Sequence, residues 1–219
     1  MSNPKILSHA QTIESKLHEL GLTRSQLQRA VEAGEAARKS TTENHAANAG
    51  GTYAYHETVA TLRGFLKPEG WKTSNAGNLA ASIHPSGLHA LVVTGGSKET
   101  GLAGFNPTSR NPKGEQTARF IDRNQHQLEL LPLPEEEKKE HDLPEHTWVL
   151  MYYSDKDKKE VRFELSLPTN IDERSRMSEW RVRLILGSFS SSWDQMENED
   201  VDSDIEFSEE IEFSIPSKT

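Results

Sequence analysis

Apolar positions recur at helical spacing through the first seventy residues and at strand spacing after them. Ile6, Ala10, Ile13, Leu17 and Leu20 stand four, three, four and three apart, which places them on one face of a helix. Pro4 suits its first turn and Gly21 its stop. Thr23 followed by Gln26 has the form of a capping box, opening a second helix with Leu27, Ala30, Val31 and Ala37 along one side. Residues 34–51 include Thr41, Thr42, Asn44, Asn48 and Gly50, so the later half of that stretch reads as a loop. Tyr55, Val59, Leu62 and Leu66 form a third stripe, ended by Pro68 and Gly70.

From Trp71 the period falls toward two. Residues 79–83 and 88–93 flank His84, Pro85, Ser86 and Gly87, a turn signal that predicts a hairpin. A loop rich in Gly and Pro covers 94–114. A short polar helix follows over 115–126, with Ala118, Phe120 and Ile121 inward. Residues 131–146, with Pro132, Pro134, Pro144 and a charge run, read as an exposed linker. Strands are predicted at 148–153, around Val161, Phe163, Leu165 and Leu167, and around Trp180, Val182, Leu184 and Leu186. In the second of these Arg162, Glu164 and Ser166 alternate with the apolar residues, the pattern of a strand with one wet face. The expected fold is α+β: N-terminal helices (1–70), a hairpin with a loop and short helix (71–130), the linker, a predominantly antiparallel meander (147–190), and an acidic C-terminal segment (191–219).

Composition narrows the function classes. The 219 residues carry a net charge of −9 and no cysteine, which excludes disulfides, thiolate chemistry and Cys-type zinc sites. The apolar runs fall far short of the roughly 20 residues that span a bilayer. The first 20 residues lack the apolar core of a secretory signal. The expectation is a cytoplasmic bacterial protein with no membrane partner. Its charge is split: residues 1–126 hold 14 Lys and Arg against 10 Asp and Glu, while 127–219 hold 11 against 24. The front section can face phosphate; the rear would repel it.

Several groups bear on chemistry. Residues 94–101 (Thr-Gly-Gly-Ser-Lys-Glu-Thr-Gly) follow a predicted strand, but Lys98 lacks the Walker A spacing, so the glycines read first as a turn device and second as a phosphate cradle. Lys98, Arg110, Lys113, Arg119 and Arg123 form the densest basic group and are the candidate phosphate or nucleic-acid contacts. The bland alternative is a solvated mixed-charge helix and loop. The first two helices have the outline of a helix-turn-helix, with Arg24, Gln26, Gln28 and Arg29 chemically able to reach base edges; two packed amphipathic helices give the same outline. Among nine histidines, His56 beside Glu57 and His84 opposite His89 are the only suggestive placements, and no metal-binding spacing, nucleophile elbow or calcium loop occurs. No catalytic residue, metal ligand or cofactor is assigned. Residues 194–212 hold ten acidic and no basic residues, the composition of a solubilising tail or of a phosphate mimic that covers the basic front half. Ile205, Phe207, Ile211, Phe213 and Ile215 allow its end to join as an edge strand.

Gln127, Leu128, Glu129, Leu130 and Leu131 resemble the pentapeptide with which bacterial replication and repair proteins dock on the polymerase sliding clamp. A Gln amide and two or three apolar side chains would fill its pockets, making Gln127, Leu128, Leu130 and Leu131 candidate protein-binding residues; packing on their own domain is the alternative. The pairs Gly70-Trp71, Thr94-Gly95, Thr100-Gly101 and Gln127-Leu128, with the runs His84-Pro85-Ser86-Gly87 and Asn111-Pro112-Lys113-Gly114, resemble uncharacterised accessory proteins of bacterial genomic islands and prophage-like elements over residues 50–186. That resemblance implies replication, anti-phage defence or counter-defence work, and no activity or site. The leading expectation is therefore a non-enzymatic accessory factor that binds another protein, a sliding clamp or a defence-system component. Two alternatives stand beside it: an enzyme acting on nucleotides or nucleic acid through the basic loop, and an acidic inhibitor that imitates DNA.

Overall fold

The computed structural model describes residues 4–126, 143–144 and 146–191. Four helices are α1 (Ala10–Glu19), α2 (Arg24–Lys39), α3 (Ala49–Leu66) and α4 (Glu115–His126). Seven strands, β1 (Lys5–Leu7), β2 (Lys72–Ser74), β3 (Ala81–Ile83), β4 (His89–Gly95), β5 (His146–Asp155), β6 (Glu160–Ile171) and β7 (Met177–Ser190), form one sheet in the order β1-β7-β6-β5-β4-β3-β2.

Local signals explain most boundaries. Thr23 and Gln26 make the reciprocal capping box: the Thr23 hydroxyl accepts from the Gln26 amide and the Gln26 side chain accepts from the Thr23 amide. Gly21 takes φ +65° where the chain turns between α1 and α2. The β3–β4 hairpin pairs in antiparallel register with Gly87 at φ +70° in its turn. The front of the chain departs from expectation. Ile6 does not begin a helix; it lies in β1, parallel to β7 with Ile6 opposite Arg183. Ile6 and Leu7 gain a sheet edge there, while His9 takes the extended cap position of a helix that starts only at Ala10.

The sheet is mixed, correcting the expected predominantly antiparallel one. β4 and β5 run parallel because the connection between them contains α4 and is long enough to cross the sheet. β1 and β7 are parallel as well; the remaining pairs are antiparallel.

Each face of the sheet carries its own core. On one face Leu91, Val93, Trp148, Leu150, Tyr152, Phe163, Leu165 and Leu184 meet Leu17, Leu27, Val31, Leu62 and Leu66 of α1–α3. Helices α2 and α3 approach closely because Gly34 has no side chain: a Cβ there would lie 2.0 Å from Thr58 Oγ1 and 2.6 Å from the Ala54 carbonyl oxygen. On the other face Val92, Val149, Met151 and Trp180 meet Phe120 and Ile121 of α4. Asn124 ties α4 down, donating to the carbonyls of Thr147 and Pro168 and accepting from the Thr147 amide.

The predicted wet face of β6 is not wet. Glu164 and Arg183 are both 0 % exposed and form an ion pair at 2.6 Å. The loop after β4 covers them. Arg183 donates to the carbonyls of Phe105 and Leu102. Glu164 accepts from the Gly101 amide and the Ser166 hydroxyl. Arg162 donates to the carbonyls of Thr100 and Lys98 and pairs with Asp155 and Glu160. Charged residues at alternate strand positions here fasten a loop onto the sheet instead of facing solvent, and buried charge survives only because every partner is present.

Candidate functional site

A cleft of about 1730 Å³ opens at the carboxyl ends of β4 and β5. Its floor is Val93, Thr94 and Gly95 of β4 with Tyr152 and Ser154 of β5. One wall is the end of α2, the connection after it and the start of α3. The other is the stretch 110–117 that leads into α4. A third side is the β5–β6 turn, with Lys156 and Lys159, and Ser191 just past the end of β7. The walls meet tightly beside β3, where a Cβ on Gly77 (φ +57°) would lie 2.1 Å from Gln116 Cγ.

The cleft is basic in a chain that is acidic overall. Arg38, Lys39, Arg110, Lys113, Lys156 and Lys159 line it, against Glu35 and Glu43. Glu35 is already engaged: Arg38 Nε lies 3.0 Å from its Oε2, and the Ser154 hydroxyl donates to its Oε1 at 3.0 Å. Arg110 stacks over the Tyr153 ring with 5.9 Å to the centroid, and Arg162 lies over the same ring at 5.2 Å.

Lys113 is the unusual member. Its ammonium is partly buried and donates to the Thr94 hydroxyl at 2.6 Å. Among the described residues no carboxylate pairs with it. Burial, which penalises the charged form, brings its pKa down to about 8. Burial also pushes the Tyr152 phenol on the cleft floor up to about 12, so at neutral pH it is a neutral hydroxyl.

The sequence-derived basic group is divided by the fold. Arg110 and Lys113 reach the cleft. Lys98 is exposed on the loop whose backbone Arg162 holds. Arg119 forms an exposed pair with Glu115 at 2.6 Å, and Arg123 donates to the Leu143 carbonyl. Four amides of the glycine-rich run are already bonded within the protein: Gly96 to the Tyr152 carbonyl, Ser97 to that of Thr108, Thr100 to that of Ser97, and Gly101 to Glu164.

The helix-turn-helix residues are likewise used internally. Gln26 caps α2 and donates to Glu69, Gln28 donates to Glu32, and Arg29 covers the Phe65 ring. Arg24 lies against Gly187 of β7. His84 and His89 stack at 4.3 Å beside Trp71, at the amino end of β4 and so remote from the cleft at its carboxyl end. His89 Nε2 lies 2.9 Å from the Leu20 carbonyl, and burial lowers its pKa. Among the described residues no group of three or more His, Asp or Glu is placed to hold a metal ion, and no helix is long and apolar enough to cross a membrane. Gln127, Leu128, Leu130 and Leu131 lie outside the described residues, as do the linker up to 142 and the acidic run after 191.

Sequence reasoning missed Arg38, Lys39, Lys156 and Lys159. No local motif joins them to Lys113; the order of strands in the sheet does. No family model, curated protein or solved structure matches this chain.

Proposed function

We propose that the chain binds a ligand bearing several phosphates, of nucleotide size or larger, in the cleft at the carboxyl ends of β4 and β5. The observation that carries this reading is Lys113: a partly buried ammonium beside Thr94, with no carboxylate partner among the described residues. A buried cation without a counter-ion costs stability, and an anionic ligand would remove that cost. Arg110 on the same wall, Arg38 and Lys39 at the end of α2, and Lys156 and Lys159 on the turn extend the positive field around it. The volume exceeds what a single phosphate would fill. Asn48, Asn78, Asn111 and Gln116 on the walls present paired donors and acceptors of the kind a nucleobase uses. The position also favours a ligand site, since open α/β sheets bind ligands outside the carboxyl ends of their parallel strands.

Calorimetric titration with tripolyphosphate, ATP and a short single-stranded oligonucleotide tests this. Charge-assisted hydrogen bonds are worth about 1.5–3 kcal/mol, so Lys113→Met should weaken the best of these ligands by about 10–100-fold. Lys98→Met, outside the cleft, should leave affinity within about two-fold, as remote surface changes do. Equal affinity in the wild type and in Lys113→Met, or no binding of any of the three, would refute the reading.

A further inference from the structure

We infer that Lys113 is an acylation site whose donor is an acyl phosphate, and that its acylation weakens the cleft as an anion site; the inference rests on the cleft assignment above. Two main-chain bonds fix the stretch that carries it. The Arg110 amide donates to the Gly95 carbonyl at 2.9 Å, and the Lys113 amide donates to the Ser175 carbonyl in the β6–β7 turn at 2.7 Å. Arg110 and Lys113 are thereby held between the end of β4 and that turn. From this anchored stretch the Lys113 side chain reaches the Thr94 hydroxyl on the cleft floor. No carboxylate among the described residues holds its nitrogen. Arg110, Arg38, Lys39, Lys156 and Lys159 stand on the surrounding walls.

A lysine attacks as a nucleophile only after shedding its proton, and desolvation lets it do so near neutrality. With Lys113 at about 8 instead of 10.5, about a tenth of the side chains are uncharged at pH 7, against about one in three thousand for an ordinary lysine.

The neighbouring cations choose the electrophile. In an acyl phosphate a single oxygen separates the phosphorus from the carbonyl carbon, so groups that dock the phosphate also bring the carbon to the amine. An acyl group carried on a long arm gains nothing from the same docking. The Lys113 Nζ lone pair attacks the carbonyl carbon and an N–C bond forms. The bond from that carbon to the phosphate oxygen breaks, the phosphate leaves with its electron pair, and the amine's proton passes to it. The products are an N-acyl lysine and inorganic phosphate, with no further reactant. The new amide carries no charge, so the cleft loses the cation that faces the ligand.

The test treats the full chain with acetyl phosphate at pH 7 and follows each lysine by peptide mass spectrometry. Lys113 should be acetylated at least about ten-fold faster than Lys67, Lys72 and Lys98, which are exposed and outside the cleft. Tripolyphosphate should slow Lys113 and leave those three unchanged. With p-nitrophenyl acetate, which has no phosphate to dock, the lead of Lys113 should be several-fold smaller. Chains acetylated at Lys113 should bind tripolyphosphate about 10–100-fold more weakly, as Lys113→Met does. In Lys113→Arg, which keeps a cation and has no amine to acylate, the same treatment should leave affinity where it started. Acetylation of Lys113 no faster than that of Lys98, an equal lead with both reagents, or unchanged affinity after acetylation would overturn the inference. Slow acetylation in a chain that binds tripolyphosphate leaves the polyphosphate reading standing. Fast, phosphate-selective acetylation in a chain that binds no tripolyphosphate, ATP or oligonucleotide would instead support the acylation site and defeat that reading.

Discussion

Lys113 and His89 are both held with depressed pKa values by burial, and their consequences with pH differ. For Lys113 the folded value is about 8 against 10.5 in water, so the unfolded chain binds the extra proton between those values and stability rises as pH climbs through that window. At pH 7 the ammonium is charged in both states and the fold bears its desolvation. Lys113→Met should therefore raise the melting temperature at pH 7 while weakening anion binding, and its stability advantage should shrink as pH approaches 10.5; thermal melts across pH 7–10.5 measure this. A lower melting temperature at pH 7 would contradict the burial argument. For His89 the neutral form is favoured, so its contribution is present above the ordinary value of 6.5 and is lost as pH falls below it. His89→Gln keeps a donor for the Leu20 carbonyl and removes the titration, and urea midpoints for the variant should fall less steeply below pH 6.5 than those of the wild type.

Among the elements, the loop 96–109 depends most on buried charge. Glu164 and Arg183 hold it through the Gly101 amide and the Phe105 and Leu102 carbonyls. Glu164→Leu leaves Arg183 buried without its partner and should cost about 3–5 kcal/mol in urea unfolding, whereas replacing both by apolar residues should cost far less. Equal losses in the single and double variants would show that the pair does not act as a unit. The α2–α3 contact supplies a second check. Gly34→Ala sets a methyl group against a backbone carbonyl as well as Thr58, and overpacking of this kind costs about 1–3 kcal/mol.

The hairpin, the capping box and the strands β5 to β7 were legible because their signals are local: a turn residue, a reciprocal cap, an alternation of apolar and polar positions. The burial of Arg162, Glu164, Ser166 and Arg183 was not, since alternation shows only that a strand has two unlike faces. Whether the polar face meets water or a loop is decided by residues 96–109, between 62 and 81 positions away in the chain. β1 escaped for a related reason: three residues carry too little pattern to outweigh a helical stripe that Ile6 happens to continue.

At the scale of the whole molecule, a chain of net charge −9 keeps a basic cleft at one end of its sheet. Of the five basic residues singled out in the sequence, Arg110 and Lys113 reach it. The other four cations arrive from α2 and the β5–β6 turn, which only the order β6-β5-β4 brings together. Such a site draws anions by its local field, so binding should weaken steeply with salt. Affinity for tripolyphosphate measured between low and high ionic strength should fall several-fold, and a salt-independent affinity would point to apolar contacts instead.

The central claim is that an anion settles against the Lys113 ammonium, and the titration of that one side chain tests it most directly. NMR of selectively labelled lysine should show Lys113 titrating near pH 8 when free and more than one unit higher with tripolyphosphate bound, because a neighbouring anion favours the charged form. An unchanged midpoint at saturating tripolyphosphate would contradict the account.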